Sequence, residues 1–336
     1  MGRLFVDGFE SGSFGLWAGS YSNAAVISTT VPTGMSGTYT MLCTSYHGYY
    51  LSFASSQDEI YLAFKYRPTD MSNSRDILRF RDTAGTVIAS LRRNQTSQYV
   101  EARLGAHTGT LLATGTIPLA VNTTYLIEVR YKPLNSGGVI TTKIDKTQDI
   151  NYSGDTTNGL ENIQTVNFGY DNGSESAYCY FDDVIIDDAD WIGNTKIAGI
   201  APTGAGATTG WTASAGNNWD CVEEKPPSDT DYVYTNTENA VDTYVLENLP
   251  ANVGAIRAVA VQTRNWREGD GTVSKLQHVV RPASTDRAGA TVNGGADIPI
   301  SAQSFQTIWE LNPEDAAAWE VADVNGMEAG PKAVTA

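Results

Sequence analysis

Short runs of apolar or alternating residues recur along the first 194 residues, each closed by Gly, Asn, Asp or Pro. The run 59–68 (EIYLAFKYRP) alternates, and 76–93 (DILRFRDTAGTVIASLRR) has the pattern of two strands joined by a turn. No segment of this half sustains the 3.6-residue period of an amphipathic helix. Many short strands at this spacing are typical of an antiparallel sandwich. We therefore predict an all-β N-terminal domain.

A change in composition marks the end of this domain. Residues 197–211 (IAGIAPTGAGATTGW) are small, Gly-rich and nearly uncharged, which is typical of a linker. We predict an all-β sandwich domain over 1–194, a linker over 195–212 and a smaller β domain over 213–336. Near the end, Asn312 is a good N-cap and Pro313 suits the first helical position, so a short helix is predicted there. A further helix is predicted to run towards Gly330.

Charge and composition exclude several classes of partner. The formal net charge is -16, which disfavours binding to nucleic acid or to an anionic membrane. No apolar run approaches the roughly 20 residues of a membrane-spanning helix. The opening residues have no secretory leader pattern. The three cysteines share no metal-ligand spacing and are predicted to be buried free thiols.

Both halves resemble known families. The opening FVDGFESGSFGLW and the later AYCYFDDVIIDD resemble laminin-G-like and concanavalin-A-like jelly rolls, including those of carbohydrate-binding modules. The second half resembles a module found near the C-termini of tailed-phage structural proteins. The segments that carry this second resemblance are EEKPPSDTDYVY, DTYVLENLP and IWELNPEDAAAWEVADVNGMEAG.

The stretch FDDVIIDDADW raises the question of a metal site. On an alternating strand Asp182 and Asp183 lie on opposite faces, so whichever face is buried carries a carboxylate that needs a partner. The jelly-roll resemblance implies a structural calcium between the first and last strands. Its ligands would be Asp7 or Glu10 together with Asp182 or Asp183. The alternative is that these aspartates end strands and cap turns.

Two further sets of side chains are candidates for binding. Tyrosines in or beside strands are predicted to stack on sugar rings, although sandwich cores also bury tyrosines; they are Tyr46, Tyr49, Tyr50 and Tyr99. Arginines on the outward face of the predicted hairpin are predicted to dock an acidic neighbour; they are Arg79, Arg81 and Arg92. The alternative for the arginines is a solvated face with local acidic partners.

Catalysis has little support in the sequence. The close carboxylate motif of concanavalin-like glucanases is missing, no GxSxG elbow exists, and the chain has three histidines. We therefore predict that the protein is not an enzyme.

The C-terminal segment 305–330 carries an unusual apolar load, including Trp309, Trp319 and Met327. Such a segment needs an anchor, either the core of its own domain or a neighbouring copy. Because virion proteins are repeated around symmetric particles, we predict a shared anchor in a homo-oligomer, with a trimer favoured.

Together these observations predict a non-enzymatic virion surface protein, assembled in the host cytoplasm and released by lysis. A tail or tail-fibre position is favoured over capsid decoration or a head fibre. Its partners would be other virion proteins and a host-surface glycan. The alternatives from other classes are a carbohydrate-binding module and a glycoside hydrolase.

Overall fold

The computed structural model describes residues 2–21, 25–44, 48–160, 162–170, 178–269, 271 and 273–335. The predicted all-β class is confirmed, because the described chain is built almost entirely of antiparallel strands. The chain divides into two units. The N-terminal unit contains residues 1–10 and 17–197, and the second unit contains residues 11–16 and 198–336.

The strands of the N-terminal unit follow one another with short connections. In chain order they are β1 (Arg3–Asp7), β2 (Gly19–Tyr21), β3 (Val26–Ser28), β4 (Thr40–Cys43), β5 (Gly48–Gln57), β6 (Ile60–Pro68), β7 (Arg75–Arg81), β8 (Val87–Arg93), β9 (Val100–Leu104), β10 (Leu111–Thr114), β11 (Tyr125–Lys132), β12 (Gly138–Ile144), β13 (Thr147–Gly154), β14 (Ile163–Tyr170) and β15 (Cys179–Asp187).

These strands form the two sheets of a jelly-roll sandwich. The first sheet has the order β13-β12-β11-β6-β15-β4-β3, with β1 also paired to β15. The second sheet has the order β10-β9-β8-β7-β14-β5-β2. The predicted hairpin is confirmed as β7 and β8, closed by a turn in which Asp82 N donates to Thr86 O.

Aromatic side chains from both sheets meet in the core of the N-terminal unit. Phe64 of β6 and Phe168 of β14 contact edge to face, with ring centroids 5.4 Å apart. Phe181 of β15 lies 5.8 Å from both rings. All three are fully buried. Because alternate residues of a strand point to opposite faces, this packing determines which residues of β14 face away from the core.

The early strands β1 and β4 both pair with β15. Asp7 lies opposite Val184, and Cys43 lies directly opposite Cys179. All three cysteines of the chain are free and buried, as predicted. Burial and the neighbouring Cys179 raise the pKa of the Cys43 thiol well above its ordinary value.

The second unit is also built of strands. In chain order they are β16 (Pro202–Thr209), β17 (Thr212–Ala213), β18 (Val233–Tyr234), β19 (Asp242–Leu246), β20 (Val259–Asn265), β21 (Val273–Arg281), β22 (Arg287–Thr291), β23 (Gln303–Trp309) and β24 (Glu328–Thr335), with one α-helix, α1 (Val321–Gly326), before β24. A sheet of order β16-β19-β24-β21-β22 is accompanied by the ribbons β17-β18 and β20-β23.

Residues 202–209, predicted as part of a linker, instead form the edge strand β16 beside β19. The Gly-rich composition of this strand suits its close packing. A Cβ atom at Gly206 would lie 2.5 Å from the carbonyl oxygen of Thr243. Glycine here permits a close backbone approach, which composition alone does not distinguish from a flexible connection.

The predicted helix at Asn312 is wrong in position. Asn312 Oδ1 accepts from Glu314 N at 3.0 Å, but Ala316 has a φ of 60°, which a helix does not permit. The segment is therefore a capped turn, and the helix begins at Val321. It is capped by Glu320 and Asp323, whose side chains each accept from the other's backbone N–H. This helix lies in the segment where the second helix was predicted, but it ends at Gly326, and β24 begins at Glu328.

The residues predicted to form an oligomer interface lie within the second unit. Trp319 and Met327 are each 3 % exposed and belong to one apolar cluster with Val280. The Trp319 indole donates to Trp309 O at 3.0 Å. Packing inside this unit therefore accounts for the burial of Trp319 and Met327.

Among the residues described, none of the helices has the length and apolar character that crossing a bilayer requires.

Candidate functional site

The second sheet of the N-terminal unit has one apolar and one polar face. On β14, Val166 and Phe168 are fully buried on the core side. Thr165 and Asn167, which alternate with them along the strand, therefore project from the opposite face. We call this opposite surface the polar face.

A row of paired residues crosses the polar face. Successive cross-strand partners in this row are Tyr50 on β5, Asn167 on β14, Arg79 on β7, Ser90 on β8 and Arg103 on β9. Neighbouring strands are about 4.8 Å apart, so the row spans about 19 Å. Such a length suits an extended ligand better than a small compact one.

Tyr50 forms one end of the row. Its partner on the edge strand β2 is Gly19. A Cβ atom at Gly19 would lie 2.8–3.0 Å from the Tyr50 ring and hydroxyl, so the ring rests over this glycine. A side chain at position 19 would displace the ring. The half-buried phenol thus forms an aromatic platform with a polar tip.

Asn167 is next to Tyr50 in the row and is 1 % exposed. Among the described residues, neither its Oδ1 nor its Nδ2 has a hydrogen-bond partner. The hydroxyl of the neighbouring Ser90, which is fully buried, also has none. Buried polar atoms without partners cost about 1–3 kcal/mol each, so native proteins keep few of them.

Beside this row lies a cluster of charged groups. The Arg79 guanidinium pairs with Asp76, and its Nη2 lies 3.3 Å from His107 Nδ1. Arg92 Nη1 donates to the His107 carbonyl at 2.8 Å. Burial raises the pKa of Asp76, and the Arg79 guanidinium is the largest of the influences that lower it. Asp76 Oδ1 and Arg92 Nε are buried without partners in the described structure.

The far end of the polar face has its own ion pair. Arg103 donates to Glu101 at 2.8 Å, and Asn94 Nδ2 donates to the same carboxylate at 2.7 Å. Arg92 is the cross-strand neighbour of both Asp76 and Glu101. Charged and polar groups therefore alternate across the face, and most of them are held by their neighbours.

The predicted tyrosines do not form one platform. Tyr50 lies on the polar face, whereas Tyr49 contacts Trp17 on the core side at 6.4 Å between ring centroids. Tyr99 is half-buried immediately before β9. Tyr46 lies outside the described residues.

The predicted arginines lie on the polar face but are less exposed than the sequence suggests. Arg79 is 4 % exposed, whereas Arg81 and Arg92 are half-buried. Arg81 Nη1 donates to Gly85 O in the hairpin turn. A protein-docking surface normally offers exposed cations, so Arg79 suits a recessed site better.

The predicted calcium ligands do not form a single set. Asp7 is buried, and its two oxygens accept from Phe9 N and the Trp17 indole, each at 2.7 Å. Burial raises the pKa of Asp7 to about 6. Glu10 accepts from Thr38 N at 3.0 Å. Both carboxylates therefore accept hydrogen bonds from other parts of the N-terminal unit.

Asp182 and Asp183 depart from strand alternation. Asp183 has a φ of 49°, and the β15 register shifts between Asp182 and Ile185, so a bulge buries both carboxylates. Asp182 accepts from Ser36 N at 2.9 Å, and Asp183 accepts from the Ser36 hydroxyl and from Ile197 N. Burial, followed by the neighbouring Asp183, raises the pKa of Asp182 to about 8.

The donors around this pair bear on the metal prediction. Within the described ranges, no three His, Cys, Asp or Glu side chains are grouped so that they would hold a metal ion. The oxygens of Asp182 and Asp183 already accept from N–H and O–H groups. This donor set does not fit the calcium site drawn from the sequence, and calcium binding there stays a prediction.

The sequence analysis missed Asn167, Ser90, Arg103 and His107 as site residues. Each is an ordinary polar residue in its local context. Cross-strand register identifies Asn167 and Ser90, which both pair with Arg79, and Arg103, which pairs with Ser90. His107 is identified by its contacts with Arg79 and Arg92.

No protein-family model and no curated protein sequence matches the chain. Solved structures with a similar chain course include "Cellulose induced protein, Cip1", with 17% identity and a TM-score of 0.44 over 57% of this chain and 100% of that chain. The alginate lyase Aly36B has 16% identity and a TM-score of 0.36 over 45% and 81%. The carbohydrate-binding module CBM66 from Bacillus subtilis has 12% identity and a TM-score of 0.34 over 50% and 94%. The proposals below rest on the side chains of this chain alone.

Proposed function

We propose that the N-terminal unit binds carbohydrate on the polar face and that the protein is a non-enzymatic glycan-binding protein. The observation that carries this proposal is Asn167, a buried amide with both polar atoms unpartnered among the described residues. It lies in a row with Tyr50 and Ser90. An unsatisfied amide is a cost to folding that a bound ligand would relieve.

Sugars match this set of groups. A sugar hydroxyl donates and accepts at the same time, so it suits Asn167 Nδ2 and Oδ1, the Ser90 hydroxyl and Asp76 Oδ1. A sugar ring also presents apolar C–H groups, which stack on an aromatic side chain such as Tyr50. The length of the row favours an oligosaccharide or polysaccharide.

The test is a binding measurement with a panel of purified polysaccharides, made by affinity electrophoresis and calorimetry on the full chain. We expect Tyr50→Ala to weaken binding at least tenfold without changing the melting temperature appreciably. The matched control is Tyr61→Ala, which removes a half-buried tyrosine of the first sheet. Equal losses in both variants, or binding that survives Tyr50→Ala, would contradict the proposed platform.

The absence of catalysis remains part of the proposal. It is supported by the missing glycosidase motif and by the ion pairs that hold Arg79 and Arg103 in place. We expect no release of reducing sugar and no absorbance from unsaturated sugar when the protein is incubated with each polysaccharide it binds. Turnover by the protein would overturn this part, and its loss in a single variant would identify the catalytic group.

The setting we propose is the surface of a phage particle, with a tail or tail-fibre position preferred to capsid decoration. Its support is the resemblance of EEKPPSDTDYVY and IWELNPEDAAAWEVADVNGMEAG to phage structural modules. In this setting the N-terminal unit would bind a host-surface glycan and the second unit would contact other virion proteins. Mass spectrometry of purified particles tests it, and a protein found only in the soluble lysate fraction contradicts it.

A further inference from the structure

The polar face has a charge opposite to that of the molecule. In the described structure it carries four arginines, Arg79, Arg81, Arg92 and Arg103, and two carboxylates, Asp76 and Glu101. Four guanidinium groups against two carboxylates leave a formal charge of +2, whereas the whole chain has -16. Charges beyond about 8 Å are largely screened at physiological ionic strength, so a bound ligand responds mainly to this local excess.

Arg92 contributes most clearly to the excess positive charge of the polar face. Its two cross-strand neighbours, Asp76 and Glu101, are bonded to Arg79 and Arg103 respectively. Among the described residues, Arg92 forms no ion pair of its own. Its Nη1 donates to a backbone carbonyl, and its Nε is buried without an acceptor. A guanidinium in this state binds a carboxylate well, because two parallel N–H groups match its two oxygens.

Neutral and cationic groups lie at different places on the face. Tyr50 and Asn167 lie at one end of the row, and Arg92 lies on β8, two residues beyond Ser90. Strand spacing separates β5 from β8 by about 14 Å, which is several times the size of a carboxylate. A ligand that satisfies both ends therefore has an uncharged sugar over Tyr50 and an anionic group near Arg92.

We infer that the polar face binds a glycan that carries carboxylates, with a uronic acid residue at Arg92 and neutral sugars towards Tyr50. This inference rests on the proposed glycan-binding function. The unpartnered Asp76 Oδ1 accepts from a hydroxyl of the same acidic residue. Because the rest of the chain is acidic, a glycan of moderate charge density is favoured over a dense polyanion.

The experiment compares each acidic polysaccharide with a neutral form of the same backbone. The probes are homogalacturonan, alginate and hyaluronan, each beside its methyl ester, with dextran sulfate and dextran as a second pair. For at least one backbone, we expect the free acid to bind the full chain at least tenfold more tightly than the ester. Raising the salt concentration should weaken binding of the acid and leave that of the ester unchanged.

Variants then test whether the carboxylate of the glycan binds at Arg92. Arg92→Gln is expected to remove the preference for the acid while binding of the ester persists. The matched control is Arg130→Gln, which removes a half-buried arginine from the first sheet and should leave the preference intact. If Arg92→Gln impairs folding, the comparison of acid with ester on the unmodified chain still decides the inference.

Each outcome supports or contradicts a defined claim. Equal affinity for acid and ester overturns the inference and leaves the glycan-binding function standing. Binding of dextran sulfate as tight as that of the best uronate, with the same loss in Arg92→Gln, replaces the carboxylate with a sulfate group and overturns the uronate assignment. Binding of none of the polymers overturns both the inference and the proposed function.

Discussion

Asn167 combines complete burial with a lack of hydrogen-bond partners among the described residues. A structural asparagine normally bonds to a neighbour, as Asn94, which follows β8, does with Glu101. Tyr50 shows a related feature, since its ring is accommodated by a glycine on the next strand. The unpartnered amide of Asn167 costs free energy of folding, which a bound sugar would recover under the proposed function.

Asn167→Leu should therefore separate stability from binding. Leucine has a similar size and leaves no polar atom unsatisfied, so we expect the free energy of unfolding to stay unchanged or to rise by about 1 kcal/mol. Glycan affinity should fall at least tenfold. The matched control is Asn151→Leu on β13 of the first sheet, which is exposed and should retain affinity. A destabilised Asn167→Leu variant would instead assign Asn167 a structural role.

His278 is a second buried polar residue, located in the second unit. It is fully buried, with Nε2 2.7 Å from the Thr263 hydroxyl and Nδ1 2.8 Å from the Thr307 hydroxyl. Burial lowers the pKa of His278 from 6.5 to about 4. The imidazole therefore stays neutral in the folded state at pH values where the unfolded chain takes up a proton.

The second unit should lose stability as the pH falls from about 6.5 to about 4, because only the unfolded chain binds this proton in that window. A pKa difference of this size lowers the free energy of unfolding by about 3 kcal/mol at the acidic end of this pH window. Urea denaturation at pH 7 and pH 5, followed by tryptophan fluorescence, measures the loss. His278→Gln should reduce the difference in the free energy of unfolding between pH 7 and pH 5. An unchanged difference would show that other groups cause the acid sensitivity.

The bulge in β15 shows how one irregular element creates a site that alternation does not predict. A regular strand would place Asp182 and Asp183 on opposite faces. The left-handed conformation at Asp183 instead buries both carboxylates beside Ser36. Because β15 pairs with β1, β4 and β6, the irregularity lies at the centre of the first sheet. The protonation state of Asp182 and Asp183 therefore affects the stability of the whole N-terminal unit.

The N-terminal unit should become less stable as the pH rises from about 4 to about 8. The raised pKa means that the folded state holds a proton on Asp182 that the unfolded chain releases near pH 4. The stabilisation that this proton provides is complete below about pH 4 and is lost progressively as the pH rises to about 8. Asp182→Asn should reduce this dependence, most clearly above pH 6, because the raised pKa of Asp7 contributes only up to about pH 6, and it should raise the melting temperature at pH 8 by several degrees. Thermal melts of both proteins in chelator between pH 4 and pH 9 measure it.

The same melts test the calcium prediction. A cation that binds only the folded state raises stability, by about 2.7 kcal/mol at a hundredfold excess over Kd. If calcium binds at Asp182 and Asp183, its addition at pH 8 raises the melting temperature of the unmodified chain but not of Asp182→Asn. Identical curves in calcium and in chelator would contradict calcium binding and leave Ser36 and the backbone donors as the partners of the pair.

The molecule consists of two β units with separate cores, and the apolar C-terminal residues contribute to the second core. Trp319, Val324 and Met327 pack together with Val280 and Ala329 inside one unit. Exposed apolar residues lie elsewhere on this unit, among them Ile300, which is 72% exposed, and Leu311, which is 52% exposed. Self-association, if it occurs, would therefore use a surface other than the buried tryptophan.

Trp319→Ala should destabilise the second unit by about 3–5 kcal/mol, because it leaves a large cavity in a packed core. Leu311→Ser, at an exposed position, should leave stability unchanged. Size-exclusion chromatography with light scattering measures the assembly state of the unmodified chain and of both variants. A trimer that dissociates in Trp319→Ala without loss of stability would support the shared anchor predicted from the sequence, and a monomeric full-length chain at micromolar concentration would contradict the trimer.

Local sequence patterns predicted the all-β class, the hairpin of β7 and β8, and the position of Arg79, Arg81 and Arg92 on the face of that hairpin away from the core. They did not predict β16, which they assigned to a linker. The predicted features follow from a two-residue period and from turn residues, which act over a few positions along the chain. Strand pairing in the folded chain places Asn167 beside Arg79 and Gly19 beneath Tyr50, and the bulge in β15 buries Asp182 and Asp183 together. Cross-strand register joins residues distant in sequence, and a bulge reverses the face of every residue beyond it, so neither is encoded in local periodicity.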